Sequence, residues 1–161
     1  MKNNHVYEVY KVTSILLIID QISKLLINTK MTLHQEIVII PKLLSIFYVK
    51  NTGAAFSMLQ DNTIFLTVIN ALFIIVLHMF IKKEKDLSKF SCLSLGLIMG
   101  GMFGNLLDRI IHHGVIDFIY ISLIDFPVFN IADMGITIGV VLLIISFILE
   151  KRSKNEQNRK V

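Results

Sequence analysis

The segment His112–Asp133, HHGVIDFIYISLIDFPVFNIAD, contains two carboxylates, Asp117 and Asp133, and lies between two long apolar segments. Directly upstream, residues 100–109 read GGMFGNLLDR, so that a glycine-rich apolar run ends in an amide, an acid and a guanidinium. We therefore expect polar groups from both stretches to gather at one depth, with the rest of the chain holding them in place.

The composition identifies a membrane protein. The 161 residues are 54% hydrophobic and 17% charged, which is too apolar for a soluble domain of this length. Four apolar segments, at about 10–29, 63–81, 90–111 and 131–149, approach the ~20 residues that cross a ~30 Å hydrocarbon core. We predict a single integral-membrane domain over residues 1–161, mainly α-helical, with a polar tail at 150–161.

Basic residues are distributed unevenly between the connections. Eleven Lys and Arg residues lie in 1–11, 82–89 and 150–161, whereas 28–62 has three and 112–132 has none. Because cytoplasmic loops are enriched in Lys and Arg, both termini are expected in the cytoplasm and Asp117 near the outer face. This topology accounts for the net charge of +4 without nucleic-acid binding.

The long connection 28–62 is predicted to be ordered. Glu36–Ile40 and Leu44–Lys50 are rich in β-branched and aromatic residues and are separated by a Pro-Lys pair, a pattern typical of two short strands. The only cysteine, Cys92, lies in an apolar run, which excludes an intramolecular disulfide and favours a small buried hydrophobe.

The third apolar segment carries two ridges of small and polar residues, Gly96-Gly100-Gly104-Asp108 and Gly101-Asn105-Arg109, each with a spacing of four. Small residues at this spacing let membrane helices approach closely. A packing seam explains the glycines but not the amide, the acid or the guanidinium, since ionisable groups at membrane depth usually have a function.

The acids have different local explanations. Asp20 has Lys24 four residues later, which predicts a local ion pair. Asp133 stands three residues after Asn130, an arrangement typical of a capped helix start, where a negative charge is favoured. Asp117 lies in the apolar run VIDFI without an adjacent cation, so its carboxyl is expected to be used and its pKa to be raised by desolvation.

Two carboxylates at a membrane boundary suit aspartic hydrolysis, in which an ionised acid deprotonates water while its protonated partner donates to the scissile carbonyl. From the positions we expect Asp133 to be the more ionised member and Asp117 to carry the shared proton. Five blocks then carry a family resemblance, DQISK at 20–24, NTGAAF at 51–56, GMFGNLLDR at 101–109, VIDF at 115–118 and FNIAD at 129–133. Together they resemble lipoprotein signal peptidase, also called signal peptidase II.

The resemblance implies four transmembrane helices with a small extracytoplasmic β-sheet, called the cradle. It implies a membrane aspartic endopeptidase of the bacterial cytoplasmic membrane that cleaves prolipoproteins on the amino side of a diacylglyceryl-modified cysteine. The partners would be these substrates and membrane lipids, with no metal, no cofactor and a monomeric chain. The implied catalytic residues are Asp117 and Asp133, and the implied supporting residues are Asp20, Asn51, Gly101, Asn105, Arg109 and Asn130. Ser23 and Ile116 replace the commoner Thr and Val without changing the chemistry.

Two other functions remain open on the residues alone. Membrane carboxylates beside an Arg also mark proton relays, but the inner halves of the third and fourth segments offer only weak polar steps. Metal hydrolysis would use His112, His113, Asp117 and Asp133, without a spacing of the HExxH type.

An apolar lining for acyl chains is expected from Phe118, Phe126, Phe129 and Met134.

Overall fold

The computed structural model describes residues 4–53, 62–84, 86–124 and 126–159. Within these ranges the chain forms four α-helices, three strands and one short 3-10 helix, Ser122–Ile124. In chain order the α-helices and strands are α1 (Asn4–Lys30), β1 (Glu36–Ile40), β2 (Leu44–Asn51), α2 (Thr63–Lys83), α3 (Lys89–His112), β3 (Val115–Tyr120) and α4 (Ile131–Arg159). Each α-helix has a segment long and apolar enough to cross a membrane. The predicted fold class, four membrane helices with a small sheet, is confirmed.

Three features differ from the sequence-based expectation or lie beyond it. The polar residues after Leu149 continue α4 as far as Arg159, because they are mostly good helix formers without Gly or Pro. Val115–Tyr120 is a third strand, where the sequence suggested only an apolar run around Asp117. The sequence Ala54-Ala55-Phe56 also predicts a close approach of the backbone there, and these residues lie outside the described part of the chain.

α3 is the central helix and packs against α1, α2 and α4. Its glycines make these contacts possible, since a Cβ at Gly96 would lie 2.6 Å from the Val12 Cβ, and one at Gly101 would collide with the Ala132 carbonyl oxygen. Cys92 is buried in the cluster around Val9, as its apolar surroundings predicted. The outward sides of the helices expose many large apolar side chains, which suits contact with lipid.

The three strands form an antiparallel sheet in the order β1-β2-β3. It lies at the end of the bundle where α1 and α3 finish and α4 begins, which we call the sheet end. Tyr48 on β2 packs with Ile116 and Phe118 on β3. Two partly buried residues lie against this cluster, Ile27 near the end of α1 and Met31 directly after it. The cluster therefore fixes the sheet on the helix ends.

We expect Gly101→Ala to destabilise the protein by about 1–3 kcal/mol, because the new methyl group meets backbone atoms of α4 that cannot move aside easily. Gly135→Ala is the matched control, since the three atoms nearest to its Cβ all belong to the flexible Leu16 side chain rather than to backbone. Thermal unfolding in detergent would measure both variants. Equal melting temperatures for the two would show that the α3–α4 contact does not depend on Gly101.

Candidate active site

Asp117 lies in the middle of β3 with only 2% of its surface exposed. The strand forms because its neighbours are β-branched or aromatic, and pairing with β2 sets Asp117 opposite Val49. Its Oδ2 accepts a hydrogen bond from Asn51 Nδ2 at 2.9 Å, and its Oδ1 accepts one from Asn130 Nδ2 at 2.6 Å. Two amide donors therefore hold this buried carboxyl in one orientation.

Asp133 lies in the first turn of α4, three residues after Asn130. The Asp133 N–H donates to Asn130 Oδ1 at 2.9 Å, and the Asn130 N–H donates to Asp133 Oδ2 at 3.2 Å. This reciprocal pair is the capping arrangement predicted from the sequence. Asp133 Oδ1 also accepts a hydrogen bond from Asn105 Nδ2 at 2.7 Å, which ties the carboxylate to α3.

Asn130 therefore contacts both carboxyls, that of Asp117 through its side-chain Nδ2 and that of Asp133 through its backbone N–H. Its Oδ1 must face the backbone N–H of Asp133, which can only donate, so its Nδ2 is directed at Asp117. The same Nδ2 lies 3.1 Å from Asn105 Oδ1, so the two amides also contact each other. The side chain of Asn130 is fully buried, and the relative placement of the two carboxyls depends on it.

A buried lysine lies beneath the two acids. Lys24 is 2% exposed and its Nζ lies 2.9 Å from Asp20 Oδ2 and 3.0 Å from Asp108 Oδ2. The predicted pair with Asp20 is therefore present, but as part of a network. Lys24 Nζ also donates to Asn105 Oδ1 at 3.0 Å, which leaves the amide nitrogen of Asn105 for Asp133.

The two carboxylates around Lys24 each fix the backbone beside one of the central acids. Asp20 Oδ1 accepts from the N–H of Ala132 at 2.9 Å, next to Asp133. Asp108 Oδ2 accepts from the N–H of Ile116 at 3.0 Å, next to Asp117. The two carboxylates that pair with Lys24 therefore also hold the backbone next to Asp117 and Asp133 in place.

Lys24 and Asp108 were not among the residues predicted to support the site. The sequence predicts Lys24 as the local partner of Asp20, and it marks Asp108 as an acid at membrane depth that a packing seam does not explain. The signal that could have found them is their presence as ionisable groups inside apolar segments. What the sequence did not show is that both converge on one cluster.

A cavity of about 1080 Å³ opens beside the two acids at the sheet end. Both carboxyls, Asn51 and Arg109 line it, and the Arg109 guanidinium donates to the Asn105 carbonyl oxygen at 3.4 Å. Its apolar wall includes Phe126, Phe129, Met134 and Ile138. The cavity therefore has two carboxyl groups at one side and an apolar surface at the other.

Phe118 does not line this cavity, contrary to the expectation from sequence. It is 6% exposed and packs with Tyr48 and Ile116. The reason is the alternation of side chains along a strand, which directs Asp117 and Phe118 to opposite faces of the sheet. The structure thus assigns the acid to the cavity and the aromatic ring to the core.

The predicted supporting residues fall into two groups. Four of them, Asn51, Asn105, Arg109 and Asn130, lie beside the acids or line the cavity. Asp20 lies one layer below, and Gly101 acts at the α3–α4 contact. Among the described residues, no three His, Cys, Asp or Glu side chains lie close enough together to hold a metal ion. His113 is the C-cap of α3 and has a left-handed backbone conformation with φ of 54°.

Burial first, and the nearby charge of Asp133 second, raise the pKa of Asp117 to about 7, although hydrogen bonds from Asn51 and Asn130 act in the opposite direction. The predicted direction for Asp117 is therefore confirmed. A carboxyl with a pKa in this range holds a proton over much of the neutral region and releases it on mild alkalinisation.

Comparison with known proteins identifies close relatives. Residues 12–149 match the family model described as Signal peptidase (SPase) II. The lipoprotein signal peptidase of Symbiobacterium thermophilum is 40% identical over 137 residues, covering 84% of this chain and 90% of the relative. That of Shouchella clausii is 37% identical over 150 residues, covering 93% and 99%.

The fold also has solved counterparts. A structure described as "Bacterial membrane enzyme structure by the in meso method at 2.3 A resolution" superposes with a TM-score of 0.84 at 33% identity, covering 91% of this chain and 90% of that one. A second, described as "Bacterial membrane enzyme structure by the in meso method at 1.9 A resolution", gives 0.78 at 34% identity, covering 86% and 91%.

Proposed function

This chain belongs to the signal peptidase II family, and we propose that it is an aspartic endopeptidase in which Asp117 and Asp133 activate water. Family membership makes it a multi-pass membrane peptidase that processes the signal peptides of prolipoproteins. The proposed substrate is a prolipoprotein with a diacylglyceryl-modified cysteine, cleaved on the amino side of that cysteine. The observation that carries the aspartic assignment is that one residue, Asn130, donates hydrogen bonds to both carboxyls beside one cavity, to Asp117 from its side chain and to Asp133 from its backbone N–H.

The proposed mechanism gives the two acids different roles. Asp133 is the ionised member, because its carboxylate accepts hydrogen bonds from Asn105 and from the N–H of Asn130 at the start of α4. It takes a proton from a water molecule, whose oxygen attacks the scissile carbonyl, while Asp117 gives its proton to the carbonyl oxygen. Asp133 then gives the proton it took to the amide nitrogen and Asp117 recovers one from a hydroxyl of the tetrahedral intermediate, so that the C–N bond breaks and releases the new amine and carboxylic acid.

The placement of the substrate follows from the cavity lining. The acyl chains of the modified cysteine would lie along the apolar wall that includes Phe126, Phe129 and Met134, while the peptide passes the carboxyls. In our proposal the sheet end faces the outside of the bacterial cytoplasmic membrane and both termini lie in the cytoplasm. Support comes from the basic residues concentrated at the opposite end.

The proposed specificity can be tested with purified protein in lipid vesicles. We expect a lipid-modified prolipoprotein to be cleaved and the same precursor without the diacylglyceryl group to stay intact. Mass spectrometry of the product should show the modified cysteine as its first residue. Equal cleavage of both precursors, or a product that begins elsewhere, would contradict the proposal.

The proposed catalytic type predicts resistance to chelators. We expect no change in rate after incubation with EDTA, because the mechanism uses only the two carboxyls and water. A control metallopeptidase in the same vesicles would show that the chelator reaches its target. Loss of activity with EDTA that zinc restores would favour metal hydrolysis involving His112 or His113.

Two amide variants should separate the roles of the acids through the pH–rate profile. Of the two acids, Asn51 donates to Asp117, so Asn51→Ala should raise the pKa of Asp117 above about 7 and move the alkaline limb of the profile to higher pH. The expected shift is roughly one pH unit, since a hydrogen bond to a charged group contributes about 1.5 kcal/mol or more. Asn130→Ala should move the acid limb of the profile to higher pH, in addition to the alkaline limb, because Asp133 loses its cap.

A pH–rate profile whose two limbs stay at the same pH while the maximum rate falls would contradict these separate roles of the two acids. Asn130 would then act on the substrate or the transition state rather than on the protonation of the two acids. Asn51→Asp is unsuitable as a control because it adds a charge. Thermal unfolding of both alanine variants should be measured to show that each remains folded.

A further inference from the structure

β1 is apolar on both of its faces. All five residues of Glu36–Ile40 are exposed, and its four aliphatic side chains, Ile37, Val38, Ile39 and Ile40, are between 44% and 57% exposed. A strand with one face in water normally alternates apolar and polar residues. The absence of alternation here suits a strand with apolar surroundings on both sides.

The exposed surface of β1 continues that of the first helix. Ile22, Leu25 and Leu26 near the end of α1 are all more than half exposed, which fits a helix facing lipid. Leu33 and Leu43, on either side of β1, are also exposed. A single apolar surface therefore extends from a membrane-spanning helix onto the hairpin formed by β1 and the start of β2.

Two lysines mark the limits of this surface. Lys30 is the last residue of α1, and Lys42 lies in the turn between β1 and β2, where its φ of 61° is left-handed. Both are exposed. Cations at the border of an apolar surface suit the phosphate groups of anionic lipids, while their aliphatic stems remain in the apolar layer.

The backbone limits how deeply this hairpin can enter a membrane. β1 is at the edge of the three-stranded sheet, so the backbone groups on its outer side have no partner strand among the described residues. Such groups are not tolerated in the hydrocarbon core, where they would lack water. The favourable position is the headgroup–acyl boundary, roughly 5–10 Å into the leaflet.

We propose that β1, together with Leu33, Lys42 and Leu43, binds the lipid surface at this boundary and sets the depth of the active site. β1 pairs with β2, and β2 pairs with β3, which places Asp117 in the same sheet. A hairpin held in the leaflet therefore fixes the height of the acids relative to the acyl chains of a lipid-modified cysteine. The role of the hairpin in setting the depth of the acids rests on the proposed function, whereas the contact of the hairpin with lipid does not.

The lipid contact is tested by a fluorescent probe. Val38→Cys in a Cys92→Ser background, labelled with NBD, is placed in vesicles of phosphatidylcholine and phosphatidylglycerol. We expect quenching by lipids with a nitroxide at the top of the acyl chain, and little quenching by iodide. Val76→Cys on the exposed side of α2 serves as the lipid reference, and exposed Lys151→Cys as the water reference.

Two results would overturn the proposal. Iodide quenching of Val38→Cys equal to that of Lys151→Cys would place the hairpin in water. Shielding from both quenchers would mean that protein covers β1, and energy transfer between differently labelled chains would then identify a second copy. These readouts need no activity, so they decide the lipid contact even if prolipoproteins are not the substrate.

The depth role is tested by a charge on β1. We expect Val38→Glu to lower cleavage of a prolipoprotein in vesicles about tenfold, because the buried charge displaces the hairpin from the leaflet. In detergent micelles, which impose no fixed depth, its rate should equal that of the parent protein. Glu36→Gln on the same strand is the control and should behave like the parent in both media. An equal loss for Val38→Glu in vesicles and micelles would overturn the depth role.

Discussion

Asp117→Asn and Asp133→Asn are each expected to lower the rate of prolipoprotein cleavage by about a thousandfold or more. The amide keeps the volume of the acid but can neither accept a proton from water as a carboxylate does nor donate one as a carboxylic acid does. Because the proposed mechanism uses both acids in one protonation cycle, either substitution alone should give nearly the full loss. Activity should be measured with a lipid-modified precursor in vesicles.

The structure supplies the controls for this experiment. Asp86→Asn changes an exposed acid in the connection at the opposite end of the bundle and should leave the rate unchanged. Thermal unfolding should show that the two active-site variants remain folded. Turnover of either variant above about a tenth of the parent rate would mean that its acid is not part of the reaction, since general acid–base groups contribute far more.

Lys24→Met is expected to cause the largest loss of stability, about 3–5 kcal/mol. Its ammonium group lies within 3.0 Å of the carboxylates of Asp20 and Asp108, and all three side chains are almost fully buried. Removing the lysine leaves two uncompensated carboxylates inside the bundle. Thermal unfolding in detergent and the yield of folded protein would measure the loss.

Two further variants make this prediction specific. Lys30→Met removes an exposed lysine at the end of the same helix and should have little effect on stability. Adding Asp20→Asn and Asp108→Asn to Lys24→Met should recover part of the stability, because the buried charges are then removed together. The triple variant should remain impaired in cleavage, since Asn105 has lost the donor that orients it towards Asp133. Wild-type stability for Lys24→Met would contradict the electrostatic role of the cluster.

The helices and two of the strands could be predicted from sequence because their signals are local. A run of about 20 apolar residues identifies a membrane span wherever its neighbours lie. The β-branched residues of Glu36–Ile40 and Leu44–Asn51 likewise favour strands by themselves. The helix cap at Asn130 spans only four residues, and it too was readable from the chain.

The third strand was missed because Val115–Tyr120 is mostly apolar and six residues long, and such a run does not distinguish a strand from a helix end. Only its pairing with β2 decides the matter, and that pairing joins residues far apart in the chain, such as Val49 and Asp117. The same pairing decides which face of the strand each side chain occupies, so it also explains why Phe118 packs in the core instead of the cavity.

The sequence by itself determined the membrane-spanning helices, the two acids and most of the polar residues around them. The tertiary structure alone decided that Asn130 contacts both acids and that Lys24 joins Asp20 with Asp108 beneath them. The physical reason is that composition and spacing describe what a segment buries, whereas a hydrogen bond between α1 and α3 depends on how closely their backbones approach. Glycines of α3 permit that approach, and the contacts they permit appear only when the helices are packed.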